Sequence, residues 1–200
     1  MEQNINVFTD GSSLDNAAIV SFGGIGIHFP NGEFDDISEP FLLKPITNQR
    51  AELYAIYTAL DKIVRQPEFT RITVYTDSEY SIKSLTVWIN KWKQNDWKGS
   101  NNKPVKNRDI IEPIHELMEK NPNKIFFTHV RSHTGKKDFE SIGNDKADKL
   151  AVYGANRAKN IIDSIVKKNT KKPIRVETGL SEDTQPLPAK KKRVLRVVTD

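Results

Sequence analysis

The chain has 200 residues, 36% of them hydrophobic, with a formal net charge of +5, which suits one well-cored domain plus an appendage. It has no cysteine, which excludes disulfides and thiolate zinc sites. No apolar stretch reaches the roughly 18 residues of a membrane span, and the N-terminus lacks the basic-then-apolar plan of a secretory signal, so an intracellular protein of the cytoplasm or nucleus is expected, with no membrane partner.

The charge is uneven. Residues 158 to 200 hold eight Lys and three Arg against two Glu and three Asp, a net +6, so the first 157 residues carry −1. Two units are therefore expected, a domain over 1–158 and a basic, largely disordered tail over 159–200.

In chain order, Ile5 to Thr9 alternates as a strand that ends on Asp10, with Phe8 and Asp10 on one face and Ile5 and Val7 on the other. Gly11-Ser12-Ser13 then reads as a tight exit. Ala18 to Phe29 reads as a strand loosened by Gly23, Gly24 and Gly26, and Asn31-Gly32 supplies a hairpin signal. Phe34 to Leu43, interrupted by Pro40, reads as an edge strand, completing an antiparallel meander. The helix holding Glu52 follows, with the apolar stripe Leu53, Ile56, Tyr57, Leu60, Ile63 and Val64.

A second strand of the acid-at-the-end type, Ile72 to Thr76, stops at Asp77. Helical sequence through the tryptophans, a helix near Ile110 to Glu119, an apolar strand from Ile125 to Val130 and a helix from about Ser141 complete the body. Strands alternating with helices after a meander predict an α/β fold, a five-stranded mixed sheet whose last two strands are parallel, flanked by helices.

Each acid has an ordinary reading when taken singly. Asp77 before a helix is a plain N-cap, Glu52 in a first turn suits the helix dipole, Asp10 before Gly-Ser suits a turn, and Asp148 suits a solvated helix position. Taken together, four carboxylates at strand ends and helix starts supply the hard oxygen ligands that Mg²⁺ prefers.

The words around these acids follow one another as Thr9-Asp10-Gly11-Ser12, Thr47-Asn48-Gln49-Arg50-Ala51-Glu52, Thr76-Asp77-Ser78, His133-Thr134-Gly135 and Gly143-Asn144-Asp145-Lys146-Ala147-Asp148. This series closely resembles type 1 ribonuclease H, from about residue 4 to about residue 157. The resemblance implies a ribonuclease H-like fold and four catalytic, metal-binding acids, Asp10, Glu52, Asp77 and Asp148, with Asp10 bridging two ions. It places His133 beside the scissile phosphate as a proton shuttle or an aid to product release, and makes Asp145 a contributor to metal handling. It assigns Asn48, Gln49 and Asn144 to the RNA strand, with Asn16 a weaker candidate. The DNA strand falls to Thr47, Asn107, Tyr80 and Trp88, and Lys44 stands near where an arginine often completes the phosphate pocket.

The implied activity is hydrolysis of the RNA strand of RNA/DNA hybrids to 5′-phosphate and 3′-hydroxyl ends by a monomer that uses two Mg²⁺ ions, with Mn²⁺ a substitute. The chain opens directly on its first strand, so no separate N-terminal hybrid-binding module is expected. Two alternatives stay open: a noncatalytic hybrid-binding domain of the same fold, and a DNA-cleaving relative.

The segment Lys83 to Arg108 carries six Lys and Arg108 against Asp96 alone, interleaved with Trp88, Trp92 and Trp97. It reads as a polyanion contact or, for Trp88 and Trp92, as the core face of an amphipathic helix. The tail, with Lys190 to Arg193, admits three readings: nonspecific nucleic-acid affinity, nuclear import, or solubility.

Overall fold

The computed structural model describes residues 3–15, 21–66 and 69–170. Its sheet has five strands, β1 (Gln3–Asp15), β2 (Ser21–His28), β3 (Ile37–Phe41), β4 (Phe69–Thr76) and β5 (Ile125–His129), in the order β3-β2-β1-β4-β5. β1 to β3 form the antiparallel meander, and β4 joins both β1 and β5 in parallel. The mixed architecture read from the sequence is the one observed.

The helices are α1 (Asn48–Val64), α2 (Glu79–Lys83), α3 (Ile89–Gln94), α4 (Arg108–Lys120) and α5 (Phe139–Thr170), with a π-helical turn over Ser84–Trp88 between α2 and α3. Alternation along β1, β2 and β4 sends Ile5, Val7, Ile25, Ile27, Ile72 and Val74 to one face. There they meet Leu53, Ile56, Leu60 and Ile63 of α1 and Ile110, Ile111 and Ile114 of α4 in one core. Each such aliphatic side chain contributes roughly 1.5–3 kcal/mol on full burial.

The opposite face is built for close backbone approach. A Cβ on Gly24 would lie 2.1 Å from Ala155 N, one on Gly26 would lie 2.0 Å from Ala147 O, and one on Gly154 would lie 2.4 Å from Glu39 O. Gly24 and Gly26 of β2 therefore do not loosen the strand; they admit α5 directly onto the sheet, which carries Asp148 with it.

Two other expectations are corrected. The first strand does not exit at Asp10 but pairs with β2 through Asp15, because Gly11 and its successors continue the antiparallel register with Ile25 and beyond. α5 begins at Phe139, with the Asp138 carboxylate accepting the Ser141 N–H at 2.8 Å. The same helix continues past residue 158 to Thr170, although Ile161, Ile165 and Val166 are exposed. A helix already nucleated by packing through Ala158 extends at little cost, one hydrogen bond per residue fixed. Residues 171–200, including Lys190 to Arg193, lie outside the described residues.

Candidate active site

The four acids arrive from four elements at one end of the sheet. Asp10 projects from β1 on the face covered by α5, opposite Gly26 in register, and is buried. Its Oδ1 accepts the Gly11 N–H at 2.7 Å. Glu52 sits in the first turns of α1, whose cap is Thr47: the Thr47 hydroxyl accepts the Arg50 N–H at 3.3 Å. Asp77 follows the last residue of β4, and Asp148 lies on α5 beside Ala147.

The ordinary reading of Asp77 as an N-cap fails for a definite reason. Ser78 caps α2, its hydroxyl accepting the Ser81 N–H at 3.2 Å, so the Asp77 carboxylate is left for another use. The Ser78 hydroxyl also donates to Glu52 Oε2, while Asn144 Nδ2 donates to Asp77 Oδ2 at 3.3 Å.

Electrostatics show that the acids share one neighbourhood. Burial pushes the Asp10 carboxyl up to about 8, and the negative charges of Asp77, Asp148 and Glu52 add to that push against the Gly11 hydrogen bond. Glu52 is also raised, chiefly by burial and then by Asp77, with the Ser78 hydrogen bond opposing. A cluster of this kind is costly to ionise without a cation.

The convergence is looser than the sequence reading held. Among the described residues, no three His, Asp or Glu side chains are arranged to hold an ion as they stand. Glu52 is turned onto Ser78 and Asp77 onto Asn144, partners that take up carboxylate oxygens which would otherwise repel one another. The donor set nonetheless fits a divalent cation. It is all oxygen, it is mutually repelling, and the buried Asn144 Oδ1 beside it has no hydrogen-bond partner.

The remaining candidates divide. His133 is exposed at φ +52 in the loop between β5 and α5, a loop pinned by the Thr134 and Ser141 hydroxyls at 2.7 Å. Asp145 is half-buried on α5. Asn144, assigned by resemblance to the RNA strand, is 2% exposed on α5, with its Nδ2 donating to Asp77 Oδ2. Asn48 and Gln49 are exposed at the start of α1. Asn48 Oδ1 accepts the Ser13 N–H at 2.5 Å, which ties α1 to β1 and leaves its amide N–H₂ as the group it can offer. Asn16 lies outside the described residues.

On the other flank, Asn107 Nδ2 donates to the Tyr80 hydroxyl at 2.9 Å, and Tyr80 lies against Trp88 with ring centroids 6.1 Å apart. Trp88 in turn meets Trp92 at 5.7 Å. These rings and Lys91, Lys98, Lys103 and Lys106 line a groove of about 860 Å³ that Gln49 also borders. Trp97 departs from this surface: it is buried in the core and carries the Arg108 guanidinium 4.7 Å above its ring. Lys44 is exposed.

Sequence reasoning missed Ser78, Arg50 and His129. Ser78 had a signal, being a second capping residue directly after Asp77. His129, whose Nε2 lies 3.2 Å from Asp77 O, closes an ordinary strand and carries no signal of its own.

A meander-led mixed sheet with acids gathered at one end defines a ribonuclease H-like fold. The RNase H family model matches residues 2–156, and the chain belongs to the RNase H family. It is 44% identical over 145 residues to a probable ribonuclease H of Acanthamoeba polyphaga mimivirus, across 72% of this chain and 62% of that protein. It is 41% identical over 150 residues to ribonuclease H of Schizosaccharomyces pombe, across 75% of this chain and 52% of that one. The chain thus spans between half and two thirds of the length of these two relatives. It covers 92% of a Haemophilus influenzae ribonuclease H, at 36% identity and over 78% of its own length. Among solved structures, the PFV RNase H domain in solution superposes with a TM-score of 0.64 at 27% identity, over 78% of this chain and 96% of that one. Among the described residues, no helix is long and apolar enough to cross a membrane.

Proposed function

We propose that this chain is an endonuclease that hydrolyses the RNA strand of RNA/DNA hybrids, leaving 5′-phosphate and 3′-hydroxyl ends, and that it works as a monomer in the cytoplasm or nucleus. One observation carries the reading most. The Asp10 carboxyl is buried among Asp77, Asp148 and Glu52 and pushed up to about 8, a charge problem that a divalent cation resolves.

Asp10, Glu52, Asp77 and Asp148 would hold two Mg²⁺ ions, with Mn²⁺ an alternative, and Asp145 would assist from one turn earlier on α5. When bound, such a pair would supply Lewis acidity for the attacking water and for the leaving 3′ oxygen. The protein's own groups do the rest. Ser78 and Asn144 hold the carboxylates of Glu52 and Asp77 in fixed orientation. The His133 imidazole, exposed in its loop, carries a proton at a ring nitrogen to or from the cleaved ends. The Asn48 amide and Gln49 test for a 2′-hydroxyl, which both donates and accepts. Thr47, Asn107, Tyr80 and Trp88 hold the DNA strand, with the lysines of the groove adding phosphate attraction.

The test is incubation of purified protein with Mg²⁺ and labelled RNA/DNA, DNA/DNA and RNA/RNA duplexes beside an Asp10→Asn control. Only the wild type should cut, and only the RNA of the hybrid. Binding without cutting would favour the noncatalytic alternative, and cleavage of DNA/DNA would favour a DNA nuclease.

A further inference from the structure

Arg50 lies two residues before Glu52 on α1, and its guanidinium points away from solvent, leaving the residue 4% exposed. Nη1 and Nη2 donate to the two oxygens of Asp109, at 2.7 and 2.5 Å, in a bidentate pair. Nη1 also reaches Asn107 Oδ1 at 3.4 Å. A guanidinium so withdrawn from water persists only when its fork is matched by a carboxylate, a geometry lysine does not reproduce.

The other end of this network is unusual. Asn107 occupies the N-cap position of α4 but makes no side-chain cap, and it sits at φ +60. Asparagine tolerates that left-handed backbone better than most residues, though at some cost. Its side chain, instead of capping, bridges Arg50 and the Tyr80 hydroxyl. Arg50 is thus tied to Thr47 through its own N–H, to Asn107 through its guanidinium, and through Asn107 to Tyr80.

We infer that Arg50 and Asp109 are positioning residues for recognition of the DNA strand: the buried guanidinium, held by the exposed Asp109 carboxylate, fixes Asn107 and Tyr80 relative to Thr47, and so sets the grip on the hybrid without touching it. The inference rests on the proposed hybrid hydrolase. It predicts an effect on substrate affinity that passes through Asn107, whereas a simple strut between α1 and α4 would act on stability alone.

The experiment measures KM, kcat and Tm on an RNA/DNA hybrid with Mg²⁺ for the wild type, Arg50→Lys, Asp109→Asn, Asn107→Ala and the Arg50→Lys/Asn107→Ala double variant. Arg50→Lys and Asp109→Asn should each raise KM by about tenfold with kcat changed by less than about threefold. The double variant should show a KM close to that of Asn107→Ala alone, because both changes remove one shared grip. Asp109→Asn keeps the shape of the site and serves if Arg50→Lys fails to fold, and Asp109→Glu should recover most of the affinity. KM effects that multiply in the double variant, or a fall in kcat at unchanged KM, would overturn the inference. A wild type that leaves the hybrid intact overturns the hydrolase reading itself, which separates the two failures.

Discussion

Gly11 lies against the backbone of Glu52: a Cβ at Gly11 would come within 2.0 Å of Glu52 N and 2.2 Å of Ala51 C. The first strand and the first helix therefore touch main chain to main chain one residue past Asp10, and this contact sets how far apart the Asp10 and Glu52 carboxylates lie. Gly11→Ala should force α1 outward. We expect a loss of about 1–3 kcal/mol in stability, the usual cost of overpacking, with a further fall in kcat at temperatures where the variant stays folded. Thermal melts and turnover on the hybrid check this, and a variant as active and stable as wild type would refute it.

Asp10→Asn should abolish cleavage yet stabilise the metal-free protein. The Asp10 carboxyl is raised from 3.8 to about 8 on folding. Its contribution to stability is therefore fully present below about pH 4 and is lost as the pH rises through about 8, where ionised Asp10 burdens the fold. Removing that burden at pH 8 in EDTA should stabilise by ~2–5 kcal/mol, and the gain should shrink towards pH 5. Denaturant titrations at both pH values measure it. Equal stability of the two proteins at pH 8 would count against the burial of a charged cluster.

Mg²⁺ should raise the Tm of the wild type in the absence of any nucleic acid, since a ligand that binds only the folded state stabilises it by mass action. The same titration with Asp10→Asn should give a much smaller rise. Scanning fluorimetry across millimolar Mg²⁺ is sufficient, and parallel rises in both proteins would place cation binding elsewhere.

Ser78→Ala removes two interactions at once. Loss of the α2 cap should cost about 1 kcal/mol. Loss of the donor to Glu52 removes the contact that opposes burial and Asp77, so Glu52 should hold its proton to higher pH. The acid limb of the kcat/KM profile should then move upward in pH relative to wild type. A limb that stays in place would mean that Glu52 does not govern it.

His133→Ala should lower kcat by about a hundredfold, the low end of the scale of a positioned proton carrier, and leave the Tm unchanged, because the side chain is exposed. Complete loss of cleavage would give His133 a larger part than proton handling.

The mixed sheet, its strand directions and the elements that carry the four acids were legible because they rest on local patterns: alternation in β1 and β4, the stripe from Leu53 to Ile63, and motif words at fixed spacing. What escaped notice depended on contacts between elements. Gly24 and Gly26 read as weak points in a strand until α5 is seen lying on them. Asn144 reads as a surface amide until its helix turns it inward. Trp97 shares a basic segment with Trp88 yet belongs to the core, because the chain takes positive φ at Asp96 and Trp97 and folds the ring under. The helical stretch beyond Ala158 has no buried stripe to announce it.

Where α5 crosses Gly24 and Gly26 of β2, the seam has no side-chain cushion. Where Gly24, Gly26, Ala147, Ala151, Gly154 and Ala155 meet, no long side chain can swing aside to absorb a bulkier neighbour. Asp148, next to Ala147, is consequently held to the sheet by this backbone contact. Substitutions on the outward side of α5 should be forgiving, whereas a single methyl added along the inward side would lift the whole rod and draw the fourth carboxylate away from the other three.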